Sequence, residues 1–589
     1  MLGPAPVEPS SIRPSAPAPL PVRASRASLT NIIGWPAATL LTAGYAVLIA
    51  RLTSFPFEDL PDHLARAKVL GDLLFHHGRV WGGTFAFHFR LVPYLLHDLI
   101  LTSLVASLGT AAGGAVFNEL LLLSLPCALL YYMHVNRVAA QARPFVILIS
   151  LFLATDWFFL VGFAAFRSGV AVLIACIALA DALRERWSTR LYAVYLAAVL
   201  AGYLEHLTVP AFLAATLVVS GAVRLGYRRA DLRAEMRLVL PVIGLLALYF
   251  GVLAGPRHPA SPSIYSLEWG TVAGKLQGLR DEFFRYGGRS YGPMMLLLAF
   301  CLLWPVRREL ASPRRLLAPE VLEQIALAVA FLGIYALLPK TYSGAAYVDV
   351  RALPMVVLFV LFAVLRLTPA SSRGGEFASA PALAAAAVLA AVNLAYIGWH
   401  LEKNNAWMVR YRAVVAQIPR GALVLPIFTY PKVSILPLPH ASAFVLLDRD
   451  GLIPDLFAGN LGDPMSYFDF VRHPYAPVEQ WYRFQQVWNR SPVFTFHSQG
   501  QSYSWRFHYD HEEHHWRPAV LAPVSWGAVA CRYRYILVTQ PYDPAYIGVP
   551  THPLTANSSA ALLAVDRHAC RPGGDAASGM TLPPAQVTY

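Results

Sequence analysis

The chain has 589 residues, of which 56% are hydrophobic and 14% are charged, and its mean hydropathy is +0.48. This composition excludes a purely soluble globular protein and predicts a polytopic membrane protein. The net charge of +13 does not indicate nucleic-acid binding, because the basic residues lie in short clusters between apolar runs, where they set membrane topology.

The N-terminal segment differs in composition from the rest of the chain. Residues 1–30 are rich in Pro, Ala and Ser and contain no apolar run. A cleavable signal needs an apolar core, so the pattern predicts a disordered tail that stays in the cytoplasm.

Residues 31–400 form the predicted transmembrane domain. Eleven apolar runs are suited to spanning helices, at about 32–51, 115–133, 144–163, 168–184, 190–203, 206–222, 237–254, 293–306, 321–338, 353–367 and 380–399. Basic clusters separate them at 137–143, 184–190, 224–237, 307–315 and 366–373. Placing every cluster in the cytoplasm gives about 11 transmembrane helices in a bacterial inner membrane, with a cytoplasmic N-terminus and a periplasmic C-terminal domain.

One further run, 91–108, contains His97 and Asp98. A full span there would invert every later basic loop, so we interpret it as an interfacial or re-entrant helix on the outer side. It belongs to a first outer loop that covers residues 52–114.

Residues 401–589 read as a separate domain. Short β-rich stretches at 422–428, 443–447 and 533–539 alternate with Pro, Gly and aromatic-rich loops, which indicates a small α/β or mostly β module. In an oxidising compartment Cys531 and Cys570 could form a disulfide, but the spacing fits two free thiols equally well.

The densest polar cluster follows the first apolar run, in the sequence Phe57-Glu58-Asp59-Leu60-Pro61-Asp62-His63. Carboxylates at a membrane edge are costly unless water or a substrate solvates them, and one with a raised pKa can act as a general base. Asp59 and Asp62 could instead cap the helix that follows, with Pro61 setting its start. Capping explains one of the acids but not all of them, so we favour a catalytic role for Glu58, Asp59 and Asp62.

Further polar residues fall at outer turns between predicted spans, and each has a structural alternative. Arg167 could bind a phosphate or snorkel to the interface, and Asp349 could act in the site or pair with Arg351. The complete set of candidate substrate-binding residues is His63, Asp156, Arg167, Glu205, His206, Lys340, Asp349 and Arg351.

The sequence His511-Glu512-Glu513-His514-His515 matches the zinc-protease pattern H-E-x-x-H. That motif sits on an apolar-patterned helix, whereas this one follows residues 503–509, which alternate like a strand. No glutamate occurs after Glu513, so a downstream ligand is missing, and we predict a solvated loop. No metal ligand is assigned, and a divalent cation is neither required nor excluded.

The arrangement resembles the GT-C superfamily of integral membrane glycosyltransferases, which includes protein mannosyltransferases and aminoarabinose lipid A transferases. The resemblance covers roughly residues 30–400 and lies in the acidic first-loop motif, the later acid Asp156 and Arg351 at the opening of a late span. It implies a polyprenyl-phosphate-linked sugar donor. It also implies that Asp59 or Asp62 takes the acceptor's proton, and that Arg167, Lys340 or Arg351 holds the lipid phosphate.

The predicted function is therefore sugar transfer from a lipid-linked donor to an unknown extracytoplasmic acceptor, within a membrane and without nucleic acid. The alternative is a non-catalytic membrane component of an envelope polysaccharide assembly or export system. A solute transporter is a weaker option, because no matched pair of Gly/Pro-interrupted segments occurs.

Overall fold

The structure is a computed structural model, and it describes a defined part of the chain. The described residues are 29–87, 89–253, 269–284, 291–340, 347–367, 380–427, 439–453, 468–470, 481–486, 492–498, 501–510, 515–518, 524–525, 531, 533–540, 542, 550–568 and 581–582. The predicted N-terminal tail and most of the His-rich segment 511–515 lie outside them.

The first part of the chain is helical. The helices up to the middle of the chain are α1 Leu29–Arg51, α2 Leu60–Phe75, α3 Leu95–Val135, α4 Arg143–Ala154, α5 Trp157–Val161, α6 Ala164–Glu185, α7 Thr189–Glu205, α8 Thr208–Gly226 and α9 Leu232–Leu248. They are followed by α10 Val272–Phe284, α11 Tyr291–Leu303, α12 Pro313–Leu316, α13 Pro319–Leu337, α14 Leu353–Leu367 and α15 Ala380–Val415.

Among the described residues, eight helices are long and apolar enough to cross a membrane, and two shorter apolar helices cover Ala140–Ala154 and Gly292–Val306. The remaining predicted run, 190–203, coincides with α7. Every apolar run singled out in the sequence is therefore largely helical, and the chain is a multi-pass helical membrane protein. The number of helices that cross the bilayer stays a prediction.

Helix α3 is two helices joined by a reversal. Gly109 has φ 80° and ψ 164°, which breaks the helical path. A Cβ built on Gly113 would come within 2.6 Å of the Leu104 carbonyl oxygen, so the two halves pack closely on each other. The prediction that 91–108 is a short helix separate from the following span is confirmed in its helical part, while its position relative to the bilayer is untested.

A network of buried ion pairs joins one end of the helix bundle. Arg184 on α6 donates to Glu235 on α9, with an Nη2–Oε2 distance of 2.6 Å. Arg224 on α8 donates to Glu323 on α13 at 3.0 Å and to Asp181 on α6 at 3.2 Å. Because charges removed from water are stable only when paired, this network fixes the relative positions of four helices.

Replacing Glu235 by Ala should destabilise the protein strongly. The substitution leaves Arg184 largely buried without its main partner, and breaking such a pair costs about 3–5 kcal/mol. Thermal unfolding of the purified protein measures the loss. The matched control is Glu185→Ala, whose pair with Arg137 is mostly exposed and should contribute about 0–1 kcal/mol. Equal effects of the two substitutions would contradict a stabilising network.

Within the described residues, the C-terminal domain contains two four-stranded sheets. One has the order β10 Thr551–Ala556, β11 Ala560–Val565, β9 Tyr535–Thr539 and β2 Val424–Ile427, with only the β2–β9 pair parallel. The other is an antiparallel meander of β4 Trp481–Gln486, β5 Pro492–Ser498, β6 Gln501–Asp510 and β7 His515–Pro518. Two-stranded pairs join β1 Phe85–Phe87 to β3 Phe468–Phe470, and β8 Val524–Ser525 to β12 Thr581–Leu582.

The prediction of a strand at 443–447 is wrong. These residues end a 3₁₀ turn, Pro439–Ala443, and form most of the helix α16 Phe444–Arg449. Asp450 has φ 53° and ends α16. The Nζ of Lys68 lies 2.7 Å from the Leu447 carbonyl oxygen and 2.7 Å from Asp450 Oδ1. A cation at a helix C-terminus satisfies carbonyls that have no partner within the helix, which explains why this apolar stretch is helical.

The first outer loop and the C-terminal domain are held together by several contacts. Lys68 lies on α2 and so ties this helix to α16, and β1 pairs with β3 across the same boundary. Arg412, near the end of α15, binds Asp448 with two hydrogen bonds of 2.8 Å. The loop that carries the acidic motif is therefore packed between the helix bundle and the C-terminal domain.

Candidate functional site

The acidic motif is positioned by the turn between α5 and α6. The backbone N–H of Asp59 donates to the Val161 carbonyl at 2.8 Å. Asp59 is the residue before α2, but its side chain makes no capping hydrogen bond. The capping alternative therefore does not account for the Asp59 carboxylate.

Gly162 allows the close approach between this turn and the acidic motif. It has φ +91°, and a Cβ there would lie 3.0 Å from the Leu60 nitrogen and 3.1 Å from the Asp59 nitrogen. These atoms belong to the backbone, so they cannot move aside as a flexible side chain can. Only glycine fits this position without strain.

Gly162→Ala should lower stability by about 1–3 kcal/mol, because it combines a left-handed φ with a tight backbone contact. The matched control is Gly244→Ala inside α9, where a Cβ meets nothing within 4 Å and should stabilise the helix by about 0.5–1 kcal/mol. Unfolding temperatures of both variants measure the effects. An unchanged Gly162→Ala protein would show that the turn does not constrain Asp59.

His440 lies between the two aspartates of the motif. Its Nε2 is 3.6 Å from Asp59 Oδ1, and its Nδ1 is 3.3 Å from Asp62 Oδ2. The Asp62 side chain is 1% exposed and that of Asp59 is 15% exposed. Asp59 is therefore the acid that a small molecule can reach, while Asp62 is placed to orient the imidazole.

A cationic group lies at the beginning of the late helix α14. Arg351 is buried in the 3₁₀ turn Val350–Ala352, and its Nη1 lies 3.2 Å from His206 Nε2. The guanidinium also lies over the rings of Phe163 and Phe166, 5.2 and 5.8 Å from their centroids. Aromatic faces hold the guanidinium of an arginine in place.

Tyr94 connects this cation with the acidic motif. Its hydroxyl lies 3.0 Å from His206 Nε2, and the charges of both Arg351 and Asp59 act on the phenol. Tyr94 has φ 73°, a backbone conformation that is uncommon for a non-glycine residue and that clusters at functional sites. The two predicted poles of the site, the acids and Arg351, therefore lie at one end of the bundle around Tyr94.

His206 is a neutral member of this cluster. Burial, with the nearby charges of Arg351 and His97, holds the pKa of His206 well below its usual range. A guanidinium can only donate, so its contact with Nε2 also requires an unprotonated nitrogen there. His206 thus anchors Arg351 without adding a second positive charge.

A second group of polar residues surrounds His97 and includes His63, the last residue of the acidic motif. His63 follows Asp62, and its ring centroid is 5.3 Å from that of His97. Burial and the neighbouring His97, Arg66 and His440 hold the pKa of His63 well below its usual range. Glu205 accepts from Ser168 and lies 3.4 Å from His97 Nδ1. The structure thus brings His63 and Glu205 close to residues that the sequence had not marked as site residues.

Asp156 and Arg167 pair with each other. Arg167 Nη1 lies 2.9 Å from Asp156 Oδ2, and Arg167 Nη2 donates to the Leu153 carbonyl. The other Asp156 oxygen accepts from the Phe159 N–H and caps α5. Both residues border a cavity of about 50 Å³ whose other lining residues are apolar. These contacts give both side chains a structural role, and their predicted role in substrate binding stays a prediction.

The remaining candidates are spread around the site. Asp349 accepts from the Val350 N–H and pairs with Lys275 Nζ at 2.6 Å, rather than with Arg351 as the structural alternative had it. Lys340 is exposed, and Glu58 is half-buried in the bend before α2. The positions of Lys340 and Glu58 do not show whether either residue has a functional role.

Comparison with known protein families and with curated proteins found no match. Among solved structures, the chain is similar to the crystal structure of ArnT from Cupriavidus metallidurans bound to undecaprenyl phosphate. The two are 12% identical with a TM-score of 0.44, and the similarity covers 90% of this chain and 98% of that chain. A likeness of this size does not assign a function, so we base the function on the geometry of the site.

Proposed function

We propose that this protein is a membrane glycosyltransferase that moves a sugar from a polyprenyl-phosphate-linked donor to an acceptor. The observation that carries the proposal is that a partly accessible carboxylate, Asp59, and a buried guanidinium, Arg351, lie at the same end of an apolar helix bundle, both near Tyr94. Transfer of a sugar from a lipid phosphate needs a base for the acceptor hydroxyl and a cation for the phosphate that leaves. The carboxylate and the guanidinium can supply these two functions.

In the proposed reaction, Asp59 removes the proton of the acceptor hydroxyl. The hydroxyl oxygen forms a bond to the anomeric carbon of the sugar as the bond between that carbon and the phosphate oxygen breaks. Direct displacement inverts the configuration at the carbon. The electron pair of the broken bond leaves on polyprenyl phosphate, whose negative charge Arg351 stabilises.

The neighbouring residues support this division of roles. Asp62, almost fully buried, holds His440 beside Asp59. His206 and the two phenylalanine rings hold Arg351. Preorganised groups of this kind stabilise a transition state without having to reorganise during the reaction.

We further propose that the site and the C-terminal domain face the periplasm of a bacterial inner membrane. The basic clusters at 137–143, 184–190, 224–237 and 307–315 lie in connections at the helix ends opposite the site, which supports this orientation by the positive-inside rule. Cys531 is disulfide-bonded, which supports an oxidising compartment for this domain. Cys570 lies outside the described residues.

The test is a transfer assay with the purified protein in liposomes. Lipid-linked sugars extracted from the producing cells serve as donors and a delipidated envelope extract serves as the acceptor. Mass spectrometry should detect free polyprenyl phosphate formed in proportion to the sugar transferred. A protein that consumes no lipid-linked sugar with either extract would be the non-catalytic assembly or export component instead.

A further inference from the structure

Three side chains at the end of the acidic motif and in the first turn of α3 form the donor set of a transition-metal site. His63, His97 and Asp98 each offer one ligand atom, and these atoms lie within 4.8 Å of one another. His97 and Asp98 are fully buried, at 1% and 2% exposure. Two imidazoles and a carboxylate are ligands that Zn²⁺ accepts in proteins.

The ring nitrogens of His97 indicate independently that a ligand binds at this position. Neither of its ring nitrogens makes a hydrogen bond within the described structure, although the side chain is buried. A buried imidazole normally has at least one partner, because burying an unsatisfied polar group costs free energy. A metal ion bound to Nε2 would remove that cost.

The surroundings match the outer partners that metal ligands usually have. Glu205 Oε1 lies 3.4 Å from His97 Nδ1, which leaves Nε2 for the metal. Arg66 Nε lies 2.6 Å from Asp98 Oδ2 and pairs with this carboxylate. A carboxylate behind a ligating histidine, and a hydrogen bond behind a ligating carboxylate, orient the ligands of many zinc sites.

Charge and geometry are both compatible with a divalent ion. The carboxylates of Asp98 and Glu205 offset its two positive charges, and Arg66 adds one charge of the same sign. Donors around tetrahedral zinc lie about 3.3–3.5 Å apart, since each is about 2.1 Å from the metal. Small side-chain rotations close the present spacing of up to 4.8 Å.

We propose that His63, His97 and Asp98 bind Zn²⁺ and that this ion links α2 to α3. His63 directly follows Asp62, so the ion would fix the beginning of α2, where the acidic motif lies. The ion is structural in this proposal, because His97 and Asp98 are fully buried. The proposal does not depend on sugar transfer.

The experiment measures zinc content and thermal stability of the full-length protein in detergent, purified without a polyhistidine tag. The His-rich segment could bind zinc by itself, so His511, His514 and His515 are replaced by Asn in every sample. The parent protein should retain about one zinc ion per chain, as expected for a single site with three protein ligands and a water molecule in the fourth position. A strong chelator should lower its unfolding temperature, and added Zn²⁺ should restore it.

Single substitutions locate the site. His97→Gln and His63→Gln should lose the zinc, whereas His97→Cys should keep it because a thiolate also binds Zn²⁺. His76→Gln is the matched control, since His76 is an exposed residue directly after α2, and it should retain the full zinc content. The proposal would be overturned if the parent protein contained no zinc and its unfolding temperature changed with neither chelator nor Zn²⁺. It would also be overturned if the His97→Gln variant kept the full zinc content.

Discussion

Asp59→Asn should lower the rate of sugar transfer by about 10²–10⁴-fold, the usual contribution of a positioned general base. An amide keeps the size of the side chain but cannot accept the hydroxyl proton. The Asp59 side chain makes no capping hydrogen bond to α2, so folding should be little affected. Turnover in the liposome assay, together with the unfolding temperature, measures both effects.

The controls separate chemistry from loss of an acid in general. Asp231→Asn changes an exposed aspartate at the other end of the bundle and should leave turnover unchanged. Asp62→Asn should lower turnover less than Asp59→Asn, because Asp62 acts through His440 in the proposed site. Full activity of Asp59→Asn would exclude this residue as the base.

Arg351→Gln should weaken donor binding and lower turnover by about 10²–10³-fold, as the loss of a group that stabilises a developing anion does elsewhere. Arg351→Lys should recover only part of the loss, since an ammonium keeps the charge but loses the planar donor geometry. Turnover measured over a range of donor concentrations separates weaker binding from slower chemistry.

Arg315→Gln is the matched control for the arginine. Arg315 is half exposed and pairs with Glu309, near the basic cluster at 307–315. Its loss should change neither donor binding nor turnover. If both arginine variants lose the same activity, Arg351 has no special role and the phosphate-binding part of the proposal is wrong.

The sequence was sufficient for most of the helical architecture. Apolar runs mark helices reliably because a membrane leaves the backbone few alternatives. A helix over 91–108 separate from the following span was also anticipated, since a full span there conflicted with the later basic loops; the reversal at Gly109 that separates the two was not. The stretch 443–447 was missed because its helical state depends on Lys68, which lies far away in the chain and binds the end of α16.

Part of the proposed site is already visible in the sequence. Asp59, Asp62, His206 and Arg351 stand out there because charged or polar side chains at predicted membrane edges need a compensating partner. His440 and Tyr94 were missed because nothing local marks them. A single histidine in the apolar sequence around 440 was the available signal, but its partners are almost 380 residues away and only the folded chain brings them together.

Pairing also could not be read from the sequence. Asp156 and Arg167 were both assigned to substrate, yet they lie 2.9 Å apart and bind each other. Asp349 pairs with Lys275 on α10, which was not among the candidates from the sequence. The positions of basic clusters in the sequence predict the side of the membrane on which a charged residue lies, but its partner depends on how the helices pack.

The most direct test of the proposed site compares the lipids that co-purify with two inactive variants. Native mass spectrometry of Asp59→Asn should detect a bound polyprenyl-phosphate-linked sugar, because this variant binds its donor but cannot use it. Arg351→Gln, prepared in parallel, should contain none. If neither variant carries a lipid-linked sugar, or both carry it equally, Asp59 and Arg351 do not have the separate roles of base and phosphate-binding group.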